Sequence, residues 1–257
     1  MGRRIRAWLT ILVTLALVPV AGCVGGDSDQ APHRSPAAHP PAPLLRVEAT
    51  LDVPGAGAVV TTHDRLWVIS GGRAVVTQVD PVTDTVTQRT TIPHPVAYAT
   101  VAHRSLWLVS YGESALIELD AESGRILRTL EGSPDLPLKD PVGVAVTGHD
   151  LWVLNHHNST LLRIDERTGK LTQTTRIAGD AASGPYLLGH ALWIGMSAQG
   201  IFHQVDLATG EVTGEPIHVP TGLCAWSSIV GHDIWSTSMP FADFNCITGQ
   251  AASTPLP

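Results

Sequence analysis

Along most of the chain the apolar residues fall in short runs broken by polar turns, a pattern of strands and not of helices. One stretch shows the arrangement in full. Val142–Thr147 is a short apolar strand, Gly148-His149-Asp150 a turn, and Leu151–Leu154 a second strand. In the third, Thr160–Asp165, Leu162 and Ile164 alternate with polar Arg163. A tight hairpin follows at Asp165-Glu166-Arg167-Thr168-Gly169. An Asp carboxylate there can accept N–H bonds from the next residues, and a Gly four positions on can take positive φ. The fourth strand runs from Lys170 to Ile177.

This unit repeats. A Leu-Trp or Ile-Trp pair recurs at Trp67, Trp107, Trp152, Trp193 and Trp235, and after the first four an Asp stands 13 residues on: Asp80, Asp120, Asp165 and Asp206. The Trp intervals are 40, 45, 41 and 42 residues, so the units are rigid and the connections between them vary. Gln78, Glu118 and Gln204 fill the polar slot of Arg163, and Asp84 stands where three of the hairpins have Gly. A four-stranded antiparallel meander of about 40 residues is the size of a β-propeller blade, so the expected class is all-β. In the fifth unit Thr248 replaces the Asp and only nine residues follow it. Leu45–Val53, with apolar residues at every odd position, resembles a fourth strand without its blade. The expected architecture is five four-stranded blades, closed by this N-terminal strand completing the last one. An incomplete six- or seven-bladed ring, or an open gap, is the competing arrangement.

The first 43 residues stand apart. Arg3, Arg4 and Arg6 precede an apolar run, Ala7–Val18, that is short for a membrane span and suits a signal peptide over 1–22. Val20-Ala21-Gly22-Cys23 resembles the lipobox of bacterial lipoproteins, which implies lipidation of Cys23, a membrane anchor and an extracytoplasmic location. Residues 23–43 are polar and contain five prolines, a composition that cannot fold alone. About 20 extended residues at ~3.1 Å each would hold the domain, 44–257, up to ~60 Å from the bilayer.

Asn158–Gly169 and the Leu-Trp-Val strands resemble the extracytoplasmic propellers grouped with virginiamycin B lyase and the YVTN and NHL repeats. The likeness spans about residues 45–250. It implies a propeller fold and, as one functional alternative, a lyase or a gluconolactonase-like enzyme acting at the channel mouth. Repeats of the lyase carry a Glu shortly after the strand-two aromatic; position three after Trp is here Ser70, Ser110, Asn155, Met196 and Ser238. Family geometry also places ligand sites at the strand-two-to-three loops. That rule selects Arg73, Tyr111, Glu113, Asn155, His156, His157 and Asn158. It further selects the insertion Ser133–Pro141, with Asp135, Lys139 and Asp140, and the last long loop with Phe241, Asp243 and Phe244. The adjacent imidazoles of His156 and His157 could bind a metal or exchange protons near neutral pH.

Charge and cysteine usage narrow the partners. Without Arg3, Arg4 and Arg6 the 16 Lys+Arg fall to 13 against 23 Asp+Glu, a net charge near −10. Nucleic acid is excluded, since phosphate binding needs a basic footprint. His63, His103, His149, His190 and His232 recur once per unit before the Trp, which marks turn or packing roles. With Cys23 lipidated, Cys224 and Cys246 remain, and an oxidising compartment favours a disulfide between them. No cofactor is expected, although a metal at the channel mouth stays open. The residues favour a lipid-anchored module that binds a protein, peptide or glycan over an enzyme, because no nucleophile triad, metal cluster or phosphate loop is present.

Overall fold

Each recurring unit folds into one antiparallel sheet in chain order, as its turns dictate. The computed structural model describes residues 47–219 except His63, Ala97, His157 and Ala181, then 227–230, 233–236 and 252–253. The first sheet is β1 (Ala58–Thr61), β2 (Leu66–Ser70), β3 (Val75–Asp80) and β4 (Thr85–Thr91). The second is β5 (Tyr98–Ala102), β6 (Ser105–Ser110), β7 (Ala115–Asp120) and β8 (Ile126–Glu131). In the third, β9 (Pro141–Thr147), β10 (Asp150–Asn155), β11 (Thr160–Asp165) and β12 (Leu171–Arg176) match the strands expected there to within two residues. The fourth comprises β13 (Ala182–Leu188), β14 (Ala191–Met196), β15 (Ile201–Asp206) and β16 (Val212–His218). A fifth, three-stranded among the described residues, holds β17 (Ser227–Val230), β18 (Asp233–Ser236) and β19 (Ala252–Ser253).

Both faces of the second and third strands are covered, which is why they read as continuous apolar runs. Every residue of β6 is buried, whereas β4 alternates between exposed and half-buried positions. The core is correspondingly split into layers between successive sheets. Trp67, Ile69 and Val76 of the first sheet pack on Leu106, Leu108, Ile117 and Leu119 of the second. Trp107, Val109 and Leu116 meet Leu151, Val153, Leu162 and Ile164 of the third, and Trp152, Leu154 and Leu161 meet Leu192, Ile194 and Val205 of the fourth. Trp193 and Phe202 continue the series against Ile234 in β18. The first strands β1, β5, β9, β13 and β17 adjoin one another in that order, so the sheets are arranged side by side about their first strands.

The Asp hairpins form as their residues require. Asp165 Oδ1 accepts the Thr168 N–H at 2.7 Å, and Gly169 sits at φ 69°. Asp84, in the Gly position of the first hairpin, holds φ 53°.

Two expectations for the closing blade are corrected. Residues 48–53 form no strand; Arg89 on β4 donates to the Asp52 carbonyl at 3.2 Å, and a turn at 54–55 leads the chain into β1. That part of the expected closing strand therefore lies at the outer strand of the first sheet, not in the fifth. Trp235 pairs with Ser253, not with residue 246, because 15 residues separate β18 from β19 where the other four connections have four. Position 248, where the Asp was expected, thus precedes β19 in sequence and lies outside the described residues.

Candidate functional site

The residues of the repeat are consumed by holding one sheet to the next. Trp67 lies opposite Gln78, Trp107 opposite Glu118, Trp152 opposite Arg163 and Trp193 opposite Gln204. The first three polar residues each sit at a register shift against the fourth strand, and a bulge re-aims a side chain. Gln78 and Arg163 reach the next sheet's Asp hairpin directly, and Glu118 does so through Arg128. Trp67 Nε1 donates to Ala121 O at 3.2 Å, Gln78 Nε2 to Glu122 O at 2.8 Å and Thr90 Oγ1 to Gly124 O at 3.1 Å. Between the second and third sheets Arg128 bonds the carbonyls of Glu166 and Arg167, while its guanidinium lies 5.2 Å from the Trp107 ring and 2.6 Å from Glu118 Oε2. Arg163, Gln173 and Thr175 bond Ala208 O, Thr209 O and Gly210 O in the same way. Gly124 is required for this contact, since a Cβ there would stand 2.8 Å from Trp67.

Five sheets in series, joined through their first strands, the first four latched face to face, are matched by known architectures. Neither a protein-family model nor a curated protein matches the chain in sequence. Solved structures do match it in shape. Virginiamycin B lyase from Staphylococcus aureus has a TM-score of 0.61 at 13% identity, covering 79% of this chain and 70% of that one. A streptogramin B lyase follows at 0.58 and 16% identity, covering 80% and 71%. The fold is a β-propeller. BamB from Moraxella catarrhalis is similar at 0.53 and 15% identity, with 74% of this chain aligned to 56% of that one. Identities this low speak to the fold alone, so each sheet is a blade and the chemistry must be read from its own side chains.

The strand-two-to-three loops share one backbone device. Ala74, Ser114, Ser159 and Gly200, each seven residues after a blade Trp, have φ of 50°, 49°, 46° and 64°. Their carbonyls accept the N–H of Ile92, Gly132, Ile177 and Val219, which ties each loop to the exit of its fourth strand. These left-handed residues are scaffold. Asp140 is different: it has φ 47° immediately before Pro141, outside any repeated slot. Its N–H donates to Ser114 Oγ at 3.1 Å, and its carbonyl accepts the His156 N–H at 3.1 Å.

The sequence-selected residues divide accordingly. Asn155 is fully buried; its Oδ1 accepts the Lys139 N–H at 2.9 Å and its Nδ2 donates to Pro137 O and Thr160 Oγ1. It is a strut for the insertion. Asn158 caps its own turn through Thr160, and Arg73 lies over Gly55. Tyr111 and His156 do come together: their ring centroids are 5.9 Å apart at 62°, forming an edge-on corner between the second and third blades. Glu113, two residues after Tyr111 in the chain, is exposed. His157, Asp243, Cys23, Cys224 and Cys246 lie outside the described residues.

Among the described residues, no group of three or more His, Cys, Asp or Glu side chains could hold a metal. The hairpin acids Asp80, Asp120, Asp165 and Asp206 all titrate below the ordinary carboxyl value. Backbone N–H donors lead in the first, second and fourth, and the Thr168 hydroxyl leads in the third. Sequence reasoning passed over Tyr98 of β5, whose hydroxyl is pushed up by burial and then by Tyr186 of β13. Nothing local marks it, because the burial comes from other blades.

Proposed function

We propose that this chain is a lipid-anchored extracytoplasmic binding module. Cys23 carries the lipid, residues 24–43 form the tether, and the propeller takes a protein, peptide or glycan at the end bearing the strand-two-to-three loops. The single observation that carries this reading is the Tyr111–His156 ring corner, which serves no repeated structural role. Trp, Asp and the polar slot are committed to the latches and hairpins, and of the repeated histidines the described ones, His103, His149 and His190, stand in turns at the opposite end of the strands. What remains is the corner and the insertion that Asn155 and Asp140 hold rigid beside it.

The ring closes, in this reading, with the fifth blade against the first. A Cys224–Cys246 disulfide braces the fifth blade. The test of binding is capture of an envelope ligand by the full chain, compared with Tyr111→Ala, His156→Ala and, at the opposite end, His190→Ala. Loss with the first two and retention with the third is expected. Equal capture by all three would overturn the placement of the site.

A further inference from the structure

Where the second and third blades meet, at the end of the strands away from Tyr111, a histidine of one blade reaches a carboxylate of the other. His103 stands in the turn between β5 and β6, Glu166 in the hairpin between β11 and β12, and His103 Nδ1 lies 3.4 Å from Glu166 Oε2. The turn is built differently from its counterparts. His103 holds φ 52° at the first turn position, which Gly148 and Gly189 occupy in the next two blades at φ 57° and 62°. An imidazole is therefore carried where those blades carry no side chain.

Glu166 is the more enclosed partner, with its side chain 15% exposed against 55% for His103. Its backbone is fixed on both sides: the N–H donates to His149 O at 2.8 Å, and the carbonyl accepts from Arg128. Among the described residues, no cationic side chain other than His103 pairs with its carboxylate. The neighbouring charges are engaged elsewhere. Arg104, next to His103, lies 2.7 Å from Glu122 of its own blade, and the Arg128 guanidinium lies 2.6 Å from Glu118. From the third blade the His149 ring stands 6.4 Å from that of His103. His149 acts on Asp165, whose carboxyl is held low first by Thr168 and more weakly by Arg167 and His149. A charge on His149 is thus balanced by Asp165, and one on His103 by Glu166. An enclosed carboxylate gains from an opposite charge, and an imidazole supplies one only after taking up a proton near neutral pH.

We propose that His103 and Glu166 form a proton-operated clasp between the second and third blades. Below about pH 6 the charged imidazole holds the turn of one blade to the hairpin of the next, and above about pH 7.5 the neutral ring releases it. A histidine that gains its partner on folding adds stability that is present below the unfolded imidazole value, about 6.5, and is lost as pH rises past it. This window lies above the range in which the hairpin carboxyls take up protons, so the two effects are separable.

The test is a double-mutant cycle on the full chain: urea unfolding of wild type, His103→Asn, Glu166→Gln and the double variant, at about pH 5.5 and about pH 8. Asn tolerates left-handed φ, so the turn backbone is kept. At the lower pH the two side chains should be coupled by about threefold in the unfolding constant, and at the higher pH the coupling should vanish. Equal coupling at both pH values would overturn the clasp, because a contact of the neutral ring needs no proton. Absence of coupling at the lower pH would overturn it as well. Amide resonances of residues 165–167 give a reading that global stability does not set. Their shift between the two pH values should shrink in His103→Asn; a shift left unchanged by that substitution would sink the proposal.

Discussion

Asp165 and its three counterparts show how one residue can set a turn and leave a pH signature. Each carboxylate accepts N–H or hydroxyl donors from the residues two or three positions on, and each is held below the ordinary carboxyl value of 3.8. A folded-state pKa below the unfolded one stabilises the fold fully above the unfolded value, and the contribution disappears as pH falls through the lowered one. The protein should therefore lose stability progressively below about pH 5, with the loss continuing past pH 3.8. Asp165→Asn should flatten that acid limb in urea titrations compared across pH; an unchanged limb would remove the hairpin acids as its cause. Tyr111 belongs to the same scale in a different way. A partly buried aromatic beside an imidazole is indistinguishable in sequence from blade filler. Only the 62° ring pair with His156 separates it from the repeat.

At the scale of the element, the latch is the unit that matters, and its strength should follow the burial of its charges. Glu118 is 8% exposed and depends on Arg128, so Arg128→Ala leaves a nearly buried carboxylate with only Ser105 as its hydrogen-bond partner. The expected cost is about 3 kcal/mol, since breaking a buried pair exceeds the value of an exposed one. Arg163 and Asp150 are each 25% exposed at the side chain, and Arg163→Ala should cost about 1–2 kcal/mol. Urea unfolding of the two variants side by side tests the order; a larger loss for Arg163 would show that burial of the ion pair does not set the strength of the latch. The strands, hairpins and polar slot were legible locally, because a period of two, an Asp and a Gly four residues apart act within one meander. The destination of the polar slot was not. Gln78 reaches Glu122, 44 residues away, and nothing in the spacing of a single unit states that the receiving group is a neighbour's carbonyl.

For the whole molecule, the testable features concern anchorage and the closing blade. Replacement of Cys23 by Ser should leave the protein unlipidated and shift it out of the washed membrane fraction; persistence there would argue for another attachment. Alkylation without prior reduction should leave Cys224 and Cys246 unmodified, and reduction should lower stability by about 2–4 kcal/mol in chemical denaturation. Free thiols in the folded protein would remove the brace. The reading of the fifth blade failed in an instructive way: the 13-residue count assumed a four-residue loop, whereas β18 and β19 are separated by 15 residues. The alternation of Leu45–Val53 was equally persuasive, yet its described part lies by β4, because periodicity specifies a face for burial and not the partner that supplies it. The sequence by itself determined the strand content, the four-stranded unit, the Asp turns and the acidic charge, all of which arise from contacts within a few residues or from composition. The latches, the strut role of Asn155, the strained Asp140 and the Tyr111–His156 corner were decided by tertiary structure alone, because each depends on which blade stands beside which.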